Sequence, residues 1–199
     1  MSIAIVNGIT HIDLGQDMSQ KNHSTDQKPG INAKEEDSQE PQEIKIFGRV
    51  EMQSGLLSIL QRARNSISIF DKDLEDLQLD SAASAEALRQ FFQKMPGYCK
   101  LYISVHHPHI LERRSPRLVE LTRCYGNSIE LRETMPMARH ISDTLVIVDN
   151  THALIRFHFD SPRGKILIND SRSVRPYSLK FEDVWKQSET LPPLYTVSM

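Results

Sequence analysis

Along this chain the apolar positions keep changing their period. Val50, Leu56, Leu57, Ile59, Leu60 and Ala63 recur at helical spacing, and the next run, SISIF from Ser66 to Phe70, alternates every second residue as a strand does. SAASAEALRQFFQKM then sets its alanines with Leu88, Phe91, Phe92 and Met95 in a helix closed by Pro96-Gly97. Lys100 to Val105 alternates again, with Leu101, Ile103 and Val105 on one face. Ser115-Pro116 predicts a helix start, because serine caps free backbone donors and proline suits a first turn that needs no N–H. That helix runs through Leu118, Val119, Leu121 and Thr122 to a stop at Gly126, and SIELR is a third strand. Thr144 to Asp149, the turn Asp149-Asn150-Thr151 and His152 to Phe159 read as a hairpin. A last helix, near Ser173 to Ser188, puts Tyr177, Phe181, Val184 and Trp185 on one stripe, with Trp185 in the core.

This order predicts an α/β fold: one mixed-sheet domain with flanking helices over residues 44–190, its sheet parallel at first and antiparallel later. Residues 1–43 lack Phe, Trp and Tyr and are polar and acidic, so they are expected to stay disordered for want of apolar surface to bury. Their opening SIAIV reads as a frayed terminus, with strand addition to a sheet edge as the alternative. Residues 191–199 form a C-terminal tail.

Charge sharpens the division. The first 43 residues hold three lysines against eight acids, leaving 21 basic and 18 acidic residues for the rest of the 199-residue chain. A body so nearly neutral gives no support to non-specific nucleic-acid binding, which neutralises many phosphates. Cys99 and Cys124 follow no metal or redox spacing and read as buried thiols. No run approaches the roughly 20 apolar residues of a membrane span. MSIAIVNG has too short an apolar run, and no preceding basic residues, for a secretion signal, so a cytoplasmic protein is expected.

Three groups of side chains carry candidate chemistry. The first strand runs into Asp71-Lys72-Asp73 and the second into His106-His107-Pro108-His109. If those strands are neighbours, Asp71, Asp73, His106, His107 and His109 share an edge where ligands of α/β sheets collect, a donor set that suits zinc. The bland alternative is surface histidines and helix-capping acids. Arg113, Arg114 and Arg117 surround the predicted helix start at Ser115, where backbone donors and arginine forks suit an anion; against this stands a solvated face paired with Glu112 and Glu120. Arg156, His158, Ser161, Arg163, Gly164 and Lys165 follow the hairpin, and a Pro-Arg-Gly-Lys turn there would offer phosphate its backbone donors and two cations. A polar strand face leading into a surface turn is the plainer reading. No cofactor is implied.

The element order, together with LLSILQRARNSISIFDKDLED, TLVIVDN, RFHFDSPRG and FEDVWKQSE, resembles a single phospholipase D-like module over about residues 44–190, and more closely an uncharacterised bacterial family of such modules. The resemblance implies the pattern His-x-Lys-x-x-x-x-Asp, in which histidine attacks phosphorus and lysine holds the phosphate oxygens. Counting back from Asp149 puts Thr144 at the lysine position and Ser142 at the histidine position. Anchoring on His140 instead puts Ser142 and Ile147 at the lysine and aspartate positions, so that register fails too. A neutral hydroxyl cannot replace lysine's charge, and serine without a base is a poor nucleophile. The motif therefore reads as degenerate, Asp149 as a turn residue or structural acceptor, and His140 as a loop residue.

The sequence thus predicts a non-catalytic module that binds a phosphate-bearing ligand or a protein partner. The alternatives are a divergent metal-dependent phosphodiesterase or hydrolase and a homodimeric structural or interaction protein, the latter because single-module relatives in the wider superfamily pair to complete a site.

Overall fold

The computed structural model describes residues 40–192 and 194, so the tail expected before Glu40 and the SIAIV segment lie outside the described residues. Eight strands form one mixed sheet: β1 (Gln42–Ile46), β2 (Ser66–Asp71), β3 (Lys100–Val105), β4 (Ile129–Thr134), β5 (Thr144–Val148), β6 (His152–His158), β7 (Ser161–Ile168) and β8 (Ser188–Thr190). Their order is β1-β7-β6-β5-β2-β3-β4-β8, with β2-β3-β4 parallel and the remaining pairings antiparallel. The expected change from parallel to antiparallel is borne out.

Strand alternation divides the apolar residues between two layers. Helices α1 (Arg49–Arg62), α2 (Ala82–Lys94) and α4 (Pro116–Tyr125) press Leu56, Ile59, Leu60, Leu88, Phe91, Phe92, Leu118 and Leu121 onto Ile67, Ile69, Leu101, Ile103, Val146 and Leu154. On the opposite face α5 (Ser171–Lys186) covers Phe70, Leu145, Ile147, Ile155 and Leu167 with Val174, Phe181 and Val184. At about 25 cal/mol per Å² of apolar area removed from water, these two layers supply the main stabilising term. Gly55 lets α1 approach the sheet, since a Cβ there would meet Ile166 Cδ1 at 2.2 Å.

Several boundaries differ from the sequence reading, each for a physical reason. Val50 faces solvent and Met52 takes its place in the core, because Met52 and not Val50 falls on the stripe of Leu56, Ile59 and Leu60 in a helix that begins at Arg49. β1 begins at Gln42, two residues inside the segment assigned to the tail, where β7 gives it a pairing partner. The helix expected to reach Ser188 stops at Lys186; Ser188–Thr190 then pairs with β4, and Leu191 N donates to Leu131 O. A short helix α3 (His109–Arg114) precedes α4, and the Ser115 side chain makes no cap bond. The cap comes instead from a distant acid, Asp80, whose Oδ1 accepts from Leu118 N at 2.8 Å.

Two further residues correct the sequence reading. Cys124 is exposed on α4 while Cys99 is buried. Trp185 is half-buried, stacked on Phe181 with the Arg132 guanidinium 4.2 Å from its ring centre. Among the described residues, no helix is long and apolar enough to cross a membrane.

Candidate functional site

β2 and β3 are indeed neighbours, and the C-terminal ends of β2, β3 and β4 meet the start of β5 at one edge of the sheet. Asp71 pairs in register with Val105, so His106 stands one residue beyond. With a two-residue strand period, that single step sends Asp71 to the α1 and α2 face and His106 to the α5 face. Adjacency of the strands therefore does not bring carboxylate and imidazole together as ligands. Among the described residues no group of three or more His, Cys, Asp or Glu is placed to hold a metal ion, which removes the basis for the proposed set of Asp71, Asp73, His106, His107 and His109.

Each half of the edge is instead closed by its own hydrogen bonds. On the helical side Asp71 is buried and accepts from the Thr144 hydroxyl, from Leu74 N at 2.8 Å and from Asp73 N at 3.3 Å. Burial pushes the Asp71 carboxyl above its usual range, against the pull of those donors. Next to Thr144 in the β5–β6 register lies Arg156, also buried, which donates to Asp76 Oδ2 at 2.7 Å and to Ser161 O at 2.9 Å. Asp76 accepts a second guanidinium, that of Arg49, at 3.3 Å. On the α5 side His106 Nε2 lies 2.8 Å from Ile141 O, a carbonyl that can only accept, so this nitrogen carries the proton. Nδ1 then accepts from the Thr134 hydroxyl at 2.5 Å. Phe70 and Phe159 pack edge-on against the ring, with centroids 5.2 and 5.5 Å away, and this burial pushes the imidazole below its usual range.

Asp149 is the acceptor expected of it. Its carboxylate takes three consecutive backbone N–H groups, Arg64 at 2.7 Å and Asn65 and Ser66 at 2.8 Å each, clamping the chain as it leaves α1 and enters β2. Asp149 and Asn150 both adopt left-handed φ, 52° and 55°, in the turn between β5 and β6, a conformation that short polar side chains tolerate. His140 is exposed, with Nδ1 2.7 Å from Met137 O, as suits a loop residue. Ser142 contributes its carbonyl to Phe159 N at 2.7 Å, and its neighbour Asp143 holds Lys180 at 2.6 Å. An open groove of about 520 Å³ runs past His140, Ser142, Phe157 and Lys180.

The anion candidates are scattered and largely paired. Arg114 pairs with Glu75, and Arg117 lies 3.7 Å from Asp80 Oδ2; Glu120, expected to join them, holds Arg123 at 2.6 Å instead. Arg113 is exposed. The Pro-Arg-Gly-Lys turn does not exist, because Ser161–Ile168 is strand β7 and the reversal falls at Phe159 and Asp160. Gly164 is needed for strand packing rather than for cradling an anion: a Cβ there would stand 2.2 Å from Ile155 O. Lys165 reaches Glu43 at 3.0 Å, Arg163 is exposed, and His158 lies 3.7 Å from Asp160 beside an irregularity in the β6–β7 register. Asp76, Asp80, Thr134 and Phe159 went unnoticed in the sequence because their partners lie 25 or more positions away, where no local spacing signals them.

The mixed sheet with helices on both faces is a fold this chain shares with solved members of the phospholipase D family. The chain belongs to the family described as a domain of unknown function, DUF7931, whose model matches residues 49–196. Among solved structures it is similar to Nuc, a phospholipase D family member from Salmonella typhimurium, at 17% identity and a TM-score of 0.53, covering 76% of this chain and 99% of that one. NucT from Helicobacter pylori is similar at 12% identity and a TM-score of 0.51, covering 76% of this chain and 100% of that one. TrmBL2, an archaeal chromatin protein with a novel mode of DNA binding, is similar at 15% identity and a TM-score of 0.57 over 79% of this chain, which spans 57% of that one. At such identities the likeness is one of fold. Among curated proteins, none matches.

Proposed function

We propose that this protein is a non-catalytic phospholipase D-like module that acts through protein contacts. One observation carries the reading: at the sheet edge where the motif register puts Ser142 and Thr144, Thr144 is wholly buried and its hydroxyl is committed to Asp71. His106, the imidazole nearest that edge, has both ring nitrogens engaged and its face covered by Phe70 and Phe159. A nucleophile in such a place would need an open path to phosphorus and a cation beside it. Arg156, opposite Thr144 in the β5–β6 register, is held by Asp76 and Ser161 O.

A phosphate-bearing ligand is less well supported than a protein partner, because Arg114, Arg117, Arg156 and Lys165 all face acids of the same chain. The DNA binding named for TrmBL2 does not transfer on these grounds either, given a body with 21 basic and 18 acidic residues. The degenerate reading of the motif and a cytoplasmic setting belong to the same proposal, the latter in keeping with two free thiols.

The test is hydrolysis of a chromogenic phosphodiester by the purified chain across pH and divalent metals. The proposal expects no turnover above buffer. Turnover that His140→Ala or His106→Ala abolishes in a still-folded protein would falsify it.

A further inference from the structure

β1 is an edge strand, pairing with β7 on one side and with no described strand on the other. The opposite edge, β8, is only three residues long, whereas β1 offers five. Edge strands of this kind are normally blunted by charge, and Lys45 is such a charge. Its placement is nevertheless unfavourable within one copy, because in the β1–β7 register Lys45 stands directly opposite Lys165. Lys165 is satisfied by the diagonal Glu43 at 3.0 Å, and among the described residues no carboxylate pairs with Lys45.

The sequence of β1, QEIKI, is charge-palindromic about Ile44. If two copies of β1 pair antiparallel with Ile44 on the dyad, Glu43 of each falls opposite Lys45 of the other and the two Ile44 side chains meet. Alternation keeps Glu43, Lys45 and Lys165 together on the α5 face, so each Lys45 gains the acid it lacks. Ile44 lies on the α1 face, 45% exposed although its neighbour Ile46 is in the core. Beside it at the end of β1 stand Phe47 and Val50, 68% and 79% exposed, apolar area that a five-residue strand needs to add for a stable contact. β1 also precedes the segment, 49–196, that the family model matches.

We infer that the chain forms a twofold homodimer in which the two β1 strands pair antiparallel about Ile44, joining the two sheets into one. This places the second copy on β1, far along the sheet from the β2-β3-β5 edge, and it does not depend on whether the module turns over a phosphodiester.

Sedimentation of the full chain across micromolar concentrations tests it. Wild type is expected to dimerise; Lys45→Glu, which turns two attractive cross-strand pairs into two repulsive ones, should weaken the dimer on the order of thirtyfold. The double change Glu43→Lys with Lys45→Glu restores the palindrome and should restore the dimer. Ile44→Cys, in a Cys124→Ser background that removes the exposed native thiol, should form an intermolecular disulfide, since directly opposed Cα atoms lie about 4.5–5.5 Å apart, within disulfide reach. A monomeric wild type, or a dimer that Lys45→Glu leaves intact and that Ile44→Cys does not cross-link, overturns the inference.

Discussion

Asp149→Ala isolates what the Asp149 carboxylate does. The carboxylate accepts three backbone N–H groups from Arg64, Asn65 and Ser66, at 2.7 to 2.8 Å, across more than 80 residues of sequence. A hydrogen bond to an ionised acceptor contributes about 1.5–3 kcal/mol, but the Arg64 and Asn65 bonds are exposed and their donors can turn to water, so the three together are worth about 2 kcal/mol. Alanine also meets the left-handed backbone at φ 52° without a side chain to bond locally, adding about 1 kcal/mol. The sum, about 3 kcal/mol, corresponds to a fall in Tm of about 6–12 °C for a domain of this size. Asp149→Asn keeps the Oδ1 acceptor and the tolerance for this φ and should lose about 1 kcal/mol. Thermal unfolding followed by the fluorescence of Trp185, the single tryptophan, reads both variants. A Tm for Asp149→Ala within about 1 °C of wild type would refute the clamp.

Other expectations are simpler. Gly164→Ala forces a Cβ to within 2.2 Å of the Ile155 backbone oxygen, which cannot swing aside, so thermal melts should show a loss of about 3 kcal/mol. The Asp71 carboxyl is protonated in both folded and unfolded chains well below 3.8; between 3.8 and its raised folded value only the unfolded chain ionises freely, so the stability this group contributes falls over that window and is gone above the folded value. Asp71→Asn should therefore gain stability relative to wild type as pH rises above 3.8 through that raised folded value, and melts showing a constant difference would contradict this. His106 carries the opposite sign: held neutral by burial, its ring should titrate below 6.5 by NMR, and the stability it contributes is lost as pH falls through that value.

Local rules reached far into this molecule. The period of two in SISIF and in Lys100 to Val105, and the period of 3.6 in the residues that became α2 and α5, depend on neighbours within one or two turns, which is why those elements were legible. The turn at Asp149-Asn150 was legible for the same reason, since both residues tolerate positive φ. β7 was missed because Ser161, Pro162, Arg163 and Gly164 carry local turn chemistry; pairing with β6 on one side and β1 on the other overrode it. β8 was missed because three residues are too few to show a period at all.

The site divides along the same line. That SISIF runs into Asp71 and that Lys100 to Val105 runs into His106 are statements about order along the chain, and the sequence alone determined them. Which way those side chains point is not. A single-residue offset between Asp71 and His106 sends them to opposite faces, Asp76 reaches Arg156 across 80 positions, and Phe159 folds back over His106. Only the packed sheet decided these, because side-chain direction reverses with every residue of a strand and register is set by partners distant in sequence.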